Sequence, residues 1–293
     1  MSVVLIGSSG QLGRCIQDEL NVLGISYHAL SKEDLPIEDK NKVNRIFKKL
    51  LPSIVLNAAA YTNVDSAEDK SDLAYSINAT GPENLAYACN NLEIPLVHIS
   101  TDFVFNGKSK VKYLPKDKTD PISVYGKSKL KGEENIIRIC KKFVIIRTSW
   151  VFSIYGKNFL KTILKLAQTK TKINVIDDQI GSPTDARDLA KAIVKNLDSF
   201  HKVQNQNKIF HYSGDKSCSW YEFAKSIVHN GYEMGIIKKL PELNPIKTEE
   251  FKQNIAERPR FSALDSQKFC NRFNVSASDW KSSISKAIKE LSL

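Results

Sequence analysis

The stretch that decides the fold is Val3-Val-Leu-Ile-Gly-Ser-Ser-Gly-Gln-Leu-Gly13, near the start of the 293-residue chain. Its first four residues are apolar and predict a short buried strand. Three glycines follow with the spacing G-x-x-G-x-x-G. A helix is predicted next, because apolar residues recur at helical spacing at Leu12, Ile16, Leu20 and Leu23. This order of strand, glycine-rich turn and helix is typical of the first unit of a dinucleotide-binding sheet.

Each glycine of this turn has a different predicted structural role. Gly7 permits a tight turn, Gly10 lets the backbone approach a pyrophosphate, and Gly13 allows close packing of the helix. The amino terminus of the helix favours the anion. We therefore predict that Gly7, Gly10 and Gly13, with Gln11 and Leu12 between them, bind the diphosphate of a dinucleotide.

The same alternation continues through the first half of the chain. Further buried strands are predicted at residues 25–30, 54–56, 96–99 and 143–146, and helices between them include Asn78–Asn91 and Tyr125–Cys140. Alternating strands and helices predict an α/β fold of the Rossmann type, with a doubly wound parallel sheet.

After Trp150 the alternation loosens, although helices are still predicted at Asn158–Ala167, Asp185–Leu197 and Trp220–Asn230. We predict a dinucleotide-binding domain over residues 1–150. Residues 151–293 are predicted to form a smaller, mainly substrate-binding domain, with some segments returning to the Rossmann core.

The composition limits the class of protein. With 42% hydrophobic and 26% charged residues the chain is typical of a globular protein, and no apolar run reaches the ~18 residues of a membrane span. Met1–Ile6 lacks a basic start and a cleavage site, which argues against a secretory signal. The five cysteines are scattered and form no C-x-x-C pair, so we predict a cytoplasmic protein without a disulfide framework or a metal site.

The formal net charge of +11 comes from lysines spread along the chain. A solvated, lysine-rich surface explains it, and attraction of a cofactor and substrate with several phosphates is the alternative. The sequence carries no aromatic-basic motif, which argues against nucleic acid as a partner.

The end of the second strand bears on the choice between nicotinamide cofactors. It reads Leu30-Ser31-Lys32, without the carboxylate that would bind a ribose 2′-hydroxyl and repel a 2′-phosphate. We therefore predict that NADPH is accepted at least as well as NADH, with Ser31, Asp34 and Leu35 near the adenosine ribose. In the alternative, Lys32 faces solvent and Glu33 or Asp34 takes the ribose.

Tyr125 and Lys129 are four residues apart and share one face at the start of a predicted helix. A neighbouring ammonium favours phenolate, so we expect Lys129 to lower the pKa of Tyr125 towards its working range. Tyr125 could then give a proton to a carbonyl oxygen as hydride arrives. Thr101, at the end of the fourth strand, could hydrogen-bond the same carbonyl. The alternatives are a surface Tyr beside a solvated Lys, and a Thr that merely forms a turn.

These residues resemble the short-chain dehydrogenase/reductase superfamily in its extended, sugar-nucleotide-modifying branch. Within that branch the chain closely resembles the dTDP-4-dehydrorhamnose reductases. The matching segments run almost end to end: GSSGQLG (7–13), NAAAYTNVDSAE (57–68), INAT (77–80), STDFVFNG (100–107), YGKSKLKGE (125–133), RTSWVF (147–152), NF (158–159), DDQIGSPT (177–184), SWYEFA (219–224) and RP (258–259).

The resemblance implies roles for the residues that match. Tyr125 would be the general acid, Lys129 would hold the nicotinamide ribose and tune Tyr125, and Thr101 would orient the sugar carbonyl. Asn78 would organise a proton-relay water near Lys129; the alternative is a buried, satisfied amide.

Further matching residues would line the two ligands. On the cofactor side these are Ala60, Tyr61, Thr62 and Ile99. On the substrate side, Thr101, Asp102 and Tyr125 would meet the sugar nucleotide. Trp150 would offer an apolar face to the deoxyhexose, unless it is simply a core residue, and Arg258 would bind the diphosphate or only shape the domain.

The chain departs from the family pattern at two positions. Phe103 stands where the motif usually has Tyr, which removes a hydroxyl but keeps the ring. Ser31 replaces an acidic residue found in some members, which affects cofactor choice rather than catalysis.

The implied reaction is reduction of the C4 ketone of dTDP-4-dehydro-L-rhamnose to dTDP-L-rhamnose, for cell-surface polysaccharide. One alternative is a related nucleotide-sugar 4-ketoreductase that makes another 6-deoxyhexose or uses UDP. The other is a non-catalytic regulatory subunit of methionine adenosyltransferase. Members of the family are often dimers, so a homodimer is compatible with the resemblance.

Overall fold

A computed structural model describes residues 2–203, 208–251 and 255–292. Its strands are β1 (Val3–Ile6), β2 (Tyr27–Leu30), β3 (Ile54–Asn57), β4 (Leu96–Thr101), β5 (Phe143–Thr148), β6 (Val151–Phe152), β7 (Lys172–Ile176), β8 (Ile180–Gly181), β9 (Thr184–Asp185), β10 (Ile209–His211), β11 (Cys218–Ser219) and β12 (Glu242–Ile246). Its α-helices are α1 (Gln11–Val22), α2 (Lys40–Leu50), α3 (Val64–Asp69), α4 (Ser71–Tyr75), α5 (Gly81–Asn91), α6 (Val124–Ile139), α7 (Phe159–Thr169), α8 (Ala186–Val194), α9 (Leu197–His201), α10 (Trp220–Glu233), α11 (Gln267–Phe273) and α12 (Trp280–Leu291).

The central sheet has six parallel strands in the order β10-β5-β4-β3-β1-β2. From β1 the chain moves outward to β2 and then returns to β3 on the other side of β1. The direction of winding therefore reverses between β1 and β3, and in such sheets ligands bind in the crevice at the carboxyl ends of the strands there. The predicted Rossmann-type α/β class is confirmed.

The second half of the chain contributes to this sheet and also builds a cluster of its own. β10 pairs with β5 through Ile209 and Ile145, and α8 joins the hydrophobic core that α1 and the sheet share. A separate hydrophobic cluster is formed by α7, α10 and α12 around Phe223 and Trp280. The division into two domains at Trp150 stays a prediction.

Several element boundaries differ from those expected. α1 ends at Val22, and Leu23, which was predicted on the apolar face of this helix, is 51% exposed. The chain turns there because Gly24 adopts the left-handed conformation with φ of 63°. The predicted helix Asp185–Leu197 divides, because α8 ends at Val194 and α9 begins at Leu197.

Asn78 does not start a regular α-helix as expected. It lies in a π-helical turn, Ser76–Thr80, that joins α4 to α5. Such turns interrupt the regular hydrogen-bond ladder and are frequent at functional sites. Hydrophobic periodicity marks the apolar face of a helix and carries no signal for this local change of pitch.

Candidate active site

The glycine turn has the geometry that its spacing predicts. Gly7 has φ of +79°, and a Cβ there would lie 2.5 Å from the main-chain nitrogen of Ala59. A Cβ on Gly13 would lie 2.2 Å from the carbonyl oxygen of Gly7, so helix and turn are too close for any side chain. At Gly10 the nearest atom to an added Cβ is 3.3 Å away. Gly10 is therefore the least crowded of the three glycines, although an added Cβ would still be tight against the Gly7 carbonyl oxygen.

The start of α1 also fits an anion. Among the described residues, none caps this helix through its side chain, and its first turn carries no acidic residue. The Gln11 side chain accepts hydrogen bonds from Ser153 and Asn158, at 3.1 and 2.8 Å, and Leu12 is buried in the core. What this end of α1 leaves for a diphosphate is its main-chain N–H groups.

At the end of β2 a small turn is closed by side chains. Asp34 Oδ2 accepts hydrogen bonds from the Ser31 main-chain nitrogen at 2.9 Å and from Ser31 Oγ at 2.7 Å. These bonds lower the pKa of Asp34, the main-chain bond most. Lys32 is exposed, whereas the Leu35 side chain packs in the core. The Asp34 carboxylate is thus engaged by Ser31.

Tyr125 and Lys129 lie in the first turns of α6, whose start is capped by the Ser123 hydroxyl. Both side chains are buried, Lys129 with only 2% exposed. Lys129 Nζ donates to the Ile99 carbonyl at 2.7 Å, which joins α6 to the end of β4. Burial lowers the pKa of Lys129 to about 8, although Glu133 raises it.

The prediction that Lys129 lowers the pKa of Tyr125 is wrong. Burial raises the pKa of Tyr125 to about 12; the Thr101 hydrogen bond lowers it and Asp102 raises it. The ammonium group is bound to Ile99, and desolvation of the phenol dominates. Tyr125 is therefore protonated at neutral pH, which is the form required of a proton donor.

Thr101 and Asp102 lie at the carboxyl end of β4 beside Tyr125. Thr101 Oγ1 donates to Asp102 Oδ1 at 3.1 Å and accepts from the Phe103 main-chain nitrogen at 3.2 Å. It therefore forms the strand-end turn and also lies against the phenol. Burial raises the pKa of Asp102 to about 7, although the hydroxyls of Ser262 and Thr101 lower it. Its Oδ2 is buried without a hydrogen-bond partner among the described residues.

The Asn78 side chain is fully engaged. Its amide oxygen accepts from the Tyr61 main-chain nitrogen at 2.8 Å, and its amide nitrogen donates to the Tyr61 carbonyl and to Ser128 Oγ, each at 3.0 Å. This side chain is the buried, satisfied amide of the alternative interpretation. It fixes the backbone of Tyr61, between Ala60 and the exposed Thr62, against α6.

Trp150 and Arg258, both predicted to meet the substrate, each already have a partner within the chain. One face of the Trp150 indole is stacked on Trp220, with centroids 3.5 Å apart and planes 5° apart, so that face is not free for a sugar. Arg258 donates to Asp65 Oδ2 at 2.6 Å, so its charge is already paired. Arg258 lines a cleft together with Lys108 and Arg260, two cations that were not predicted as site residues.

A buried ion pair behind Lys129 was also missed. Glu133 accepts two hydrogen bonds from Arg147, at 2.9 and 2.6 Å. Both residues lie in matching motifs, and an Arg inside an apolar strand is itself a signal, because Arg is seldom fully buried unless it is paired.

Two absences are limited to the described part of the chain. In residues 2–203, 208–251 and 255–292 no group of three or more His, Cys, Asp or Glu side chains could hold a metal ion. None of the helices in the same ranges combines the length and apolarity that a membrane span requires.

A glycine turn at the switch point of a parallel sheet, beside Thr101, Tyr125 and Lys129, defines the class as a short-chain dehydrogenase/reductase-type protein. The chain belongs to the RmlD substrate binding domain family, whose model matches residues 1–293. This confirms the resemblance found in the sequence.

Individual relatives cover nearly the whole chain. A dTDP-4-dehydrorhamnose reductase of Aggregatibacter actinomycetemcomitans is 36% identical over 281 residues, 95% of each chain. The spore coat polysaccharide biosynthesis protein SpsK of Bacillus subtilis (strain 168) is 39% identical over 291 residues, 99% of this chain and 98% of that protein. The crystal structure of a dTDP-4-dehydrorhamnose reductase from Bacillus anthracis str. Ames in complex with NADP has a TM-score of 0.90 at 35% identity, covering 99% of both chains.

Proposed function

We propose that this chain reduces the C4 ketone of dTDP-4-dehydro-L-rhamnose to dTDP-L-rhamnose, with NADPH as the hydride donor. One observation carries the proposal: a buried, protonated Tyr125 lies with Thr101 at the sheet edge that also bears the Gly7–Gly13 turn. The relatives named dTDP-4-dehydrorhamnose reductase support this substrate, and they bear out the activity predicted from the sequence.

Each residue of the site has a separate role in the proposed reaction. The cofactor supplies hydride from its nicotinamide when it is bound. Thr101 orients the sugar carbonyl by a hydrogen bond, and Tyr125 gives its proton to the oxygen that becomes the C4 hydroxyl. Lys129, held by the Ile99 carbonyl, binds the nicotinamide ribose. Asp102 Oδ2, buried and without a partner among the described residues, would accept from a sugar hydroxyl once substrate displaces the side chains that cover it.

NADPH is the proposed cofactor because the residues at the end of β2 suit it. The Asp34 carboxylate is engaged by Ser31, and Lys32, the first cation after β2, is exposed and could meet a 2′-phosphate. The Bacillus anthracis relative was crystallised with NADP. Comparing kcat/KM for NADPH and NADH tests this choice, and a strong preference for NADH would contradict it.

The activity is tested with purified protein. NADPH oxidation should require the 4-keto sugar nucleotide, and the product should be dTDP-L-rhamnose by chromatography and NMR. A different 6-deoxyhexose, or equal use of a UDP sugar, would favour the related 4-ketoreductase. Turnover absent with every keto sugar, together with binding to a methionine adenosyltransferase, would favour the regulatory subunit.

The remaining features of the proposal concern setting and assembly. We infer a cytoplasmic protein acting on a small nucleotide sugar, without nucleic-acid or membrane partners; its cysteines are unpaired thiols, which suits a reducing compartment. We also infer that residues 151–293 mainly bind substrate, with the cluster around Phe223 as their own core. A homodimer remains an expectation from the resemblance, and light scattering of the purified protein tests it.

A further inference from the structure

A line of buried polar side chains runs from β3 to the catalytic helix. Asn57, the last residue of β3, and His98, within β4, are both fully buried. Asn57 Nδ2 is 3.0 Å from His98 Nδ1, and His98 Nε2 is 3.4 Å from Lys129 Nζ. Lys129 is thus reached from the sheet by a histidine for which the proposed reaction has no use.

The orientation of the Asn57 amide is fixed by its other contact. The Ala59 main-chain N–H donates to Asn57 Oδ1 at 3.1 Å. A main-chain N–H can only donate, so the atom it meets must be the amide oxygen, and the atom that faces His98 must be the amide nitrogen.

This orientation determines the tautomer of His98. An amide nitrogen donates and does not accept, so His98 Nδ1 must be an acceptor without a proton. Burial, together with the nearby charge of Lys129, lowers the pKa of His98 well below its ordinary value, so the ring is neutral. A neutral imidazole keeps one proton, which must then be on Nε2.

The Nε2–H of His98 consequently points at Lys129. When Lys129 is an ammonium, both nitrogens are donors, and they stay 3.4 Å apart, whereas Nζ is 2.7 Å from the acceptor oxygen of Ile99. A neutral amine, in contrast, could accept this hydrogen bond. Hydrogen bonding to the neutral form disfavours the charged form.

We propose that Asn57 and His98 are positioning residues for Lys129: Asn57 holds His98 as the Nε2–H tautomer, and this donor opposes the ammonium form of Lys129. Ile99 provides the opposing anchor by accepting from the same ammonium. The effect on catalysis rests on the proposed reductase activity, whereas the tautomer can be measured without it.

Other charged or titratable groups near Lys129 belong to two elements. On α6 these are Tyr125, which is neutral, and Glu133, which raises the pKa of Lys129. From β5, Arg147 holds the Glu133 carboxylate through two hydrogen bonds, so much of that negative charge is offset. His98 is the group that approaches from β4.

The first experiment reads the tautomer directly. The chain has five histidines, so a two-bond ¹H–¹⁵N spectrum is simple, and the His98 signals are assigned by their loss in His98→Gln. We expect His98 to be neutral with its proton on Nε2 between about pH 6 and 9. A proton on Nδ1, or an imidazolium at neutral pH, would overturn the proposal whether or not an Asn57 variant folds.

The second experiment reverses the tautomer. Asn57→Asp keeps an oxygen for Ala59 but turns the donor facing His98 into an acceptor, so the proton should move to Nδ1 and Nε2 should accept from Lys129. The alkaline fall in kcat/KM, where Lys129 loses its proton, should then move up by about 1 pH unit.

The added carboxylate also acts by charge alone, and a double-mutant cycle separates the two effects. In a His98→Leu background, Asn57→Asp adds the same charge with no polar side chain between it and Lys129, and the shift should fall to half or less. Equal shifts in the two backgrounds would overturn the proposal. If the unsubstituted protein reduces no keto sugar, the proposed function fails, while the tautomer measurement stands.

Discussion

Two neighbouring parts of the site respond to burial in opposite ways. Around Tyr125 and Asp102 burial raises both pKa values, to about 12 and about 7, so both groups tend to keep their protons. Around Lys129 burial lowers the pKa to about 8, and the side chain is held by Ile99 and approached by His98. Around Tyr125 and Asp102, the Asp102 Oδ2 atom has no hydrogen-bond partner among the described residues, whereas Lys129 Nζ is bonded to the Ile99 carbonyl. The comparison indicates that the first side is arranged for a ligand, whereas on the second the Ile99 carbonyl favours the lysine cation and His98 opposes it.

The largest expected effect comes from removing the Tyr125 hydroxyl. Tyr125→Phe keeps the ring, and with it the edge-on contact with Phe103, but removes the proton donor. We expect kcat to fall by about 10²–10⁴-fold, the usual contribution of a general acid. Steady-state NADPH oxidation with the keto sugar measures it, and Tyr232→Phe, at an exposed position, is the control. Full activity of Tyr125→Phe would exclude Tyr125 as the proton donor.

The next largest effect concerns the buried Glu133–Arg147 ion pair, which lies next to Lys129. Arg147→Met leaves the Glu133 carboxylate buried without its partner, and the free energy of unfolding should fall by about 3–5 kcal/mol. Urea unfolding measures the loss. Glu134→Gln is the matched control on the same helix, because it breaks the Lys131–Glu134 pair, whose side chains are 52% and 54% exposed. That change should cost less than about 1 kcal/mol. Similar losses in the two variants would show that the buried pair does not stabilise the fold.

The local parts of this arrangement could be predicted from the sequence. The glycine spacing from Gly7 to Gly13 and the Tyr125–Lys129 spacing each fix the relative placement of residues close in sequence, where backbone geometry leaves few alternatives. The role of Asn78 was less predictable, because its side chain forms hydrogen bonds with Tyr61 and Ser128, which lie 17 and 50 positions away in the sequence.

Contacts between distant segments were the part that sequence reasoning missed. Asn57 and His98 are 41 positions apart and meet only because β3 and β4 are adjacent in the sheet. The stacking of Trp150 on Trp220 likewise depends on how the second half folds back. The pKa of Tyr125 was misjudged for a related reason, since spacing reveals a neighbouring charge but not the degree of burial.

A pH series sharpens the contrast at Asp102. Its pKa rises from 3.8 unfolded to about 7 folded, so between these values the folded state binds more protons and the free energy of unfolding falls as pH rises. Asp102→Asn resembles the protonated acid and should remove that fall, stabilising the protein at pH 8 by on the order of 4 kcal/mol. Urea unfolding from pH 4 to 8 measures both slopes, and parallel slopes would contradict the raised pKa. At pH 8, where Asp102 is ionised, the same variant should also bind the sugar nucleotide more weakly, because a charged acceptor is lost.

The smallest expected effect concerns the aromatic contact that holds the Tyr125 ring. Phe103 meets Tyr125 edge to face, with centroids 5.4 Å apart and planes at 72°, and such aromatic pairs contribute about 0.5–1.5 kcal/mol beyond their area. Phe103→Leu removes this contact, so kcat should fall by roughly 2–10-fold, whereas Phe103→Tyr keeps the ring and should change kcat by less than about 2-fold. Because neither change touches Lys129, the alkaline fall in kcat/KM should stay at the same pH in both variants. If the alkaline fall in kcat/KM moves in Phe103→Leu, the surroundings of Tyr125 and of Lys129 are coupled through the first turn of α6. The tyrosine ring would then be held by the same interactions as the lysine.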